Sequence, residues 1–107
     1  MSFEKIVENG RVAVIYSPGF GAGWSTWNGD KAILCMHADL VRLLQSGGTA
    51  NQAETLGKQL TGEEYICVLG WEDCEIMWIP QGQQFEINEY DGSESVHVIG
   101  DGSYLTA

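Results

Sequence analysis

The chain has 107 residues, 44% of them apolar and 10% aromatic, with a formal net charge of −10. That length supports one domain with a hydrophobic core of its own and leaves no room for a second core. It contains no run near the ~18 apolar residues of a membrane span, and the charge repels the phosphates of free DNA, RNA or an anionic membrane.

In chain order, Phe3 to Glu8 forms a short lead, and Asn9-Gly10 is a turn signal that makes a hairpin if the lead is extended. The run Arg11 to Ser17 is nearly all apolar and reads as a strand buried on both faces. A glycine-rich loop, Ser17 to Gly29, follows at once. The run Lys31 to Met36 is apolar but too short to assign. His37 to Ser46 carries Leu40, Val41, Leu43 and Leu44 at helical spacing and stops at Gly47-Gly48. A second helix runs from Thr49 or Asn51 to Leu60, with Asn51 and Glu54 spaced as a capping box. Its apolar face is thin and Gly57 weakens it, which predicts loose packing at the surface.

The remainder reads as β structure. Tyr65–Leu69 and Glu75–Ile79 are expected strands, the second ended by Pro80. Gln84–Tyr90 and Ser95–Ile99 alternate apolar and polar residues around Asp91-Gly92, a strong hairpin signal. Gly100-Asp101-Gly102 then allows a turn into a short tail, Ser103-Tyr104-Leu105.

Charge is distributed unevenly. No lysine or arginine follows Lys58, and the 49 residues from Gln59 onward hold ten carboxylates. Such a surface attracts basic proteins, although the same excess also serves solubility alone. The cysteines Cys35, Cys67 and Cys74 are odd in number and lie in apolar or strand-like contexts, which implies free thiols in a reducing cytoplasm. The N-terminal residues Met1 to Lys5 lack the pattern of a signal peptide. No CxxC pair exists and neither histidine has ligand spacing to a cysteine, so no metal site and no cofactor is expected.

The loop is the most informative stretch. It contains four glycines, two tryptophans and a proline, and a connection of that length in a small domain is usually a binding loop or a disordered one. Its three large aromatics need apolar cover, which argues for one defined shape. Gly19-x-Gly21-x-Gly23 after a strand resembles a dinucleotide motif, but the sequence from Trp24 to Gly29 opens a helix poorly and no Gly-Lys-Ser/Thr follows. Two readings remain open. In one, backbone N–H groups and the rings of Phe20, Trp24 and Trp27 hold a ligand, helped by Ser25, Thr26 and Asn28. In the other, the aromatics plug one end of the sheet.

Glu86, Glu89, Asp91 and Glu94 form an acidic cluster at the hairpin tip. Clustered carboxylates can bind a cation or act as acid and base, yet hairpin tips are normally solvated and the spacing is not that of an EF-hand. Ser17 and Ser25 lack a Gly-x-Ser-x-Gly context, and His37 and His97 are as well explained by structure.

The stretches Tyr16 to Asn28 and Phe85 to Ser95 resemble two signature stretches of a group of small proteins found in phages and prophages. The resemblance covers most of the chain and implies expression inside an infected bacterial cell. It carries over no activity and no functional residue, but it implies that loop and hairpin belong to one feature. A strand ending at Ser17 beside one ending at Tyr90 would place both at one end of the sheet.

The expected fold is α+β: residues 1–107 as a single domain, an antiparallel or mixed sheet of about five strands with one or two helices on one face. A small half-open barrel closed by the helices is the alternative. The leading functional expectation is a non-enzymatic phage-type accessory protein that binds and blocks a host component. The candidate surface is Tyr16, Ser17, Gly19, Phe20, Gly21, Gly23, Trp24, Ser25, Trp27, Asn28, Glu89, Asp91 and Glu94. Two alternatives are a protein that sequesters a small nucleotide-like ligand and a metal-assisted hydrolase or transferase. The expected partner is a host protein or such a ligand, not nucleic acid or membrane, and no motif encodes an oligomeric state.

Overall fold

The chain turns on its buried second strand. In a computed structural model, which describes residues 3–99 and 105–107, β1 (Val7–Glu8) and β2 (Arg11–Tyr16) form a hairpin with Glu8 opposite Arg11. Asn9 and Gly10 both take positive φ, 52° and 74°, the turn whose twist matches that of the flanking strands. Val12, Ala13, Val14 and Ile15 are all fully buried, as an apolar run without alternation predicts.

Three helices follow the glycine loop. α1 (Lys31–Met36) is the run too short to assign from sequence; the Asp30 side chain caps it by accepting the Ile33 N–H. α2 (Ala38–Gln45) begins where His37 accepts the Asp39 N–H on Nδ1. α3 (Ala50–Thr61) is capped at Thr49, the earlier of the two expected starts and not Asn51, because Thr49 and Gln52 close a reciprocal capping box. It also packs more closely than its thin apolar face implies. Gly57 is buried, and the space where a Cβ would sit is bounded by Leu34 and Ile66 at ordinary van der Waals distance.

β3 (Glu75–Pro80) pairs antiparallel with β2, completing a three-stranded sheet ordered β1-β2-β3. β4 (Gln84–Tyr90) and β5 (Ser93–Ile99) form the expected hairpin, with Tyr90 opposite Ser93. β6 (Leu105–Thr106) pairs with the other edge of β4. The fold is thus α+β, but its strands form two three-stranded antiparallel sheets rather than one of about five. The reason lies between β3 and β4: Pro80 has no N–H to continue a ladder, Gly82 takes φ 86°, and Gln83 N–H closes a turn onto the Pro80 carbonyl.

The first sheet has a core on each side. Ala13 and Ile15 pack with Leu34, Leu40, Val41, Trp24 and Trp71 under the helices. Val12 and Val14 pack with Cys35, Met36, Phe85 and Ile87 between the sheets.

Tyr65–Leu69 is not a strand. The Asn28 side chain supplies what a neighbouring strand would: its Oδ1 accepts the Cys67 N–H at 2.8 Å and its Nδ2 donates to the Cys67 carbonyl at 3.0 Å. A carboxamide presents the same donor and acceptor as a peptide group. The expected turn at Gly100–Gly102 and the tail residues Ser103 and Tyr104 lie outside the described residues. Among those described, no helix is long and apolar enough to cross a membrane. All three cysteines are free, two of them buried.

Candidate functional site

Loop and hairpin meet, but not through β2 lying beside β4, which belong to different sheets: the loop bonds to the hairpin tip and the start of β5. The Gly21 N–H donates to the Asp91 carbonyl at 2.7 Å, the Ser93 hydroxyl to the Pro18 carbonyl at 2.7 Å, and the Glu94 N–H to the Ser17 carbonyl at 2.7 Å. Asp91 and Gly92 take φ 50° and 85°, so β5 returns tightly under the loop. The approach is so close that a Cβ on Gly92 would overlap the Ala22 backbone. From the other side, a Cβ on Gly70 would meet the Ala22 carbonyl oxygen at 2.6 Å.

At the centre of this junction sits Glu94, 2% exposed. Its Oε1 accepts the Ser17 N–H at 2.8 Å. Its Oε2 accepts the N–H groups of Trp24 and Thr26 at 2.8 and 3.0 Å and the Thr26 hydroxyl at 2.6 Å. Three converging amides and a hydroxyl form a cradle for an anion, and the chain fills it with its own carboxylate. The pairing also relieves a conflict. Glu94 stands directly opposite Glu89, and like charges so placed repel. Glu94 turns into the cradle, while Glu89 accepts the Gly92 N–H at 2.7 Å and the Trp27 indole N–H at 3.3 Å.

The buried charge is felt nearby. Burial first, and the Glu94 charge second, push the Cys35 and Cys74 thiols above their ordinary value. Tyr16, at the end of β2, is raised by partial desolvation and then by Glu75 beside it.

The candidate residues divide by exposure. Trp24 does not present its ring outward: it is 0% exposed, donates its indole N–H to the Leu34 carbonyl at 2.6 Å, and meets Trp71 edge to face. Here the plug reading holds. Ser17 and Ser25 are buried as well; the Ser17 hydroxyl donates to the Ala22 carbonyl, while the Ser25 hydroxyl has no partner among the described residues, which nothing in the structure explains. Gly23 lies against the Glu94 carboxylate, and Asn28 ties the loop to Cys67. These residues build the site from beneath.

Other candidates face solvent. Phe20 and Tyr90 are each 74% exposed and Trp27 is 41% exposed; Gly21, Glu89 and Asp91 are exposed too. Tyr90 shares a face of the hairpin with Ser93, whose hydroxyl reaches Pro18. Phe20 therefore lies on the part of the loop running from Tyr90's flank to the tip, and Trp27 stands on the opposite flank with Glu89.

Sequence reasoning missed three contributors. Asp73 lies over Gly19, with Oδ2 2.5 Å from where a Cβ would be; Leu69, 76% exposed, precedes Gly70 on the loop's other border; Glu63 borders Gly29. Leu69 ends the stretch expected as a strand, and Glu63 and Asp73 fall where no element is expected; the contacts of Asn28 with Cys67 and of Gly70 with Ala22 fix where they lie.

Among the described residues, no three His, Cys, Asp or Glu side chains converge as a set able to hold a metal ion. The described ion pairs, Arg42 with Glu4 and Asp39 and Lys58 with Glu54, involve none of the carboxylates bordering the loop. Comparison with family models, curated proteins and solved structures gives no match, so the functional reading rests on this geometry.

Proposed function

We propose that the chain is a non-enzymatic accessory protein that binds and blocks a protein of its host cell, in the manner suggested by its resemblance to small phage and prophage proteins. One observation carries this reading: three large aromatics stand in solvent on a loop and hairpin that a buried carboxylate fastens together. Solvent-exposed aromatics on a rigid frame lose little entropy on binding and are typical energetic anchors of interfaces. The frame also counts against the alternatives. The amides of Ser17, Trp24 and Thr26 are already occupied by Glu94, and one of the three rings that could stack on a ligand, Trp24, lies inside the core.

Affinity capture from a bacterial extract, followed by titration with the captured protein in pure form, tests the proposal. Replacing Phe20 and Tyr90 together by alanine should weaken that complex at least about tenfold with the melting temperature unchanged. Equal affinity for both proteins refutes it, as does a large thermal shift with a nucleotide.

A further inference from the structure

At the end of β2 away from the glycine loop, Glu8, Asn9, Arg11 and Trp78 line a cleft of about 400 Å³, within the range of small-molecule sites. Strand register places three of them on one face of the first sheet. Glu8 stands opposite Arg11, Trp78 stands opposite Ala13, and Ala13 lies two positions beyond Arg11 in β2. Side chains so related leave the sheet on the same side. The helices cover that side over Ala13 and Ile15 but leave Arg11 exposed. Trp78 joins the two zones: it is half-buried, packs against the core under the helices and forms one wall of the cleft.

The polar groups of this cleft are all open. Among the described residues, the side chains of Glu8, Asn9 and Arg11 make no hydrogen bond and no ion pair. Glu8 and Arg11 thus face each other across the hairpin without joining. Trp24, Trp27 and Trp71 donate their indole N–H groups to Leu34, Glu89 and Gly48, whereas that of Trp78 has no acceptor among the described residues. The other cations differ from Arg11 in partners or place. Arg42 and Lys58 are in ion pairs, Lys5 donates to the Thr106 carbonyl, and Lys31, also without a partner, lies at the start of α1, outside the cleft.

An opposed guanidinium and carboxylate that do not pair suit a ligand carrying both complementary charges. A simple anion would meet Arg11 but be repelled by Glu8 and by the net charge of −10; a simple cation would be repelled by Arg11. A guanidinium fork matches a carboxylate in two parallel hydrogen bonds, a carboxylate accepts from an ammonium, and an indole offers apolar surface to a second ring. We infer that the cleft binds a free aromatic α-amino acid. Its carboxylate lies on Arg11, its ammonium on Glu8 and its ring against Trp78. The two charges of such a ligand sit on one carbon, as close together as a cross-strand pair of side chains requires, and Asn9 adds a donor and an acceptor at the rim. This site is separate from the glycine loop and does not rest on the reading given to that loop.

The test titrates the intact protein with L-phenylalanine and follows the Trp78 indole N–H resonance. Expected is a saturable shift with a Kd at or below about 1 mM. Three analogues then remove one recognised group each: phenylalanine amide lacks the carboxylate, N-acetylphenylalanine lacks the ammonium, and alanine lacks the ring. Each should bind at least about tenfold more weakly, the loss of one charge-assisted bond or one ring contact. These comparisons use the unaltered protein and need no variant to fold. Arg11→Gln should weaken phenylalanine at least about tenfold, whereas Lys31→Gln, which removes the other cation without a partner, should change it less than about twofold. No saturable shift up to about 10 mM overturns the inference. So does N-acetylphenylalanine or alanine binding as tightly as phenylalanine, since Glu8 or Trp78 would then recognise nothing. Equal losses in Arg11→Gln and Lys31→Gln overturn it too, because attraction would follow net charge alone. None of these failures touches the host-protein complex, which is read through Phe20 and Tyr90.

Discussion

Replacing Glu94 by glutamine tests the structural claim on which the candidate site depends. The substitution keeps shape and removes charge. The amide oxygen best occupies the Oε2 position, where three donors converge, and the new NH2 then faces the Ser17 N–H, donor against donor. One charge-assisted bond is lost outright and its amide is left unsatisfied in a buried setting, at about 1–3 kcal/mol. The other three fall from charged to neutral strength, roughly half. Removing a buried charge returns part of its desolvation cost. The net loss expected is about 2–4 kcal/mol, a large share of the roughly 5–15 kcal/mol typical of a domain. Urea unfolding followed by tryptophan fluorescence measures it, and amide exchange locates it. Ser17, Trp24 and Thr26 should lose protection well before Val12 to Ile15. A Glu94→Gln protein within about 0.5 kcal/mol of wild type, with those amides equally protected, would refute the cradle as the fastening of loop to hairpin.

Three other outcomes follow from the same geometry. Trp24→Ala should cost about 3–5 kcal/mol, as for other large-to-small core changes, whereas Phe20→Ala should stay within about 0.5 kcal/mol; equal melting shifts for the two would contradict their assigned burial. Gly92→Ala forces a Cβ into the Ala22 backbone at a positive φ and should lower stability by at least about 2 kcal/mol; an unchanged unfolding midpoint would show that the hairpin tip is not seated under the loop. Raising the pH above the ordinary thiol value of 9.0 should destabilise the fold, because the unfolded chain releases protons that Cys35 and Cys74 keep when folded. This contribution is complete below pH 9.0 and is lost as the pH climbs toward the raised folded values, by about 1.4 kcal/mol per pH unit and thiol. Unfolding midpoints between about pH 8 and 10.5 in wild type and Cys74→Ala should show a shallower decline in the variant; identical profiles would refute the assignment.

Local chemistry made much of this protein legible from its residues. Asn9-Gly10 and Asp91-Gly92 specify hairpins because both positions of such a turn need positive φ, and the unbroken apolar run of β2 demands cover on both faces. The α2 helix declares itself through its leucine spacing. The loop's singularity was also plain, since glycine and tryptophan seldom crowd together without a close approach to explain them. None of these features depends on distant partners.

What tertiary structure alone decided is where side chains from different segments meet. Glu94 looks, in sequence, like one more acid on a solvated turn; it is buried because the loop's amides, 68 to 77 positions away, converge on it. Asn28 stands in for a missing strand beside Cys67, and Trp24 and Trp27, three positions apart, part company because one indole finds Trp71 and Leu34 while the other finds Glu89. Such outcomes follow from hydrogen-bond satisfaction and burial across long separations in the chain, which no local pattern encodes.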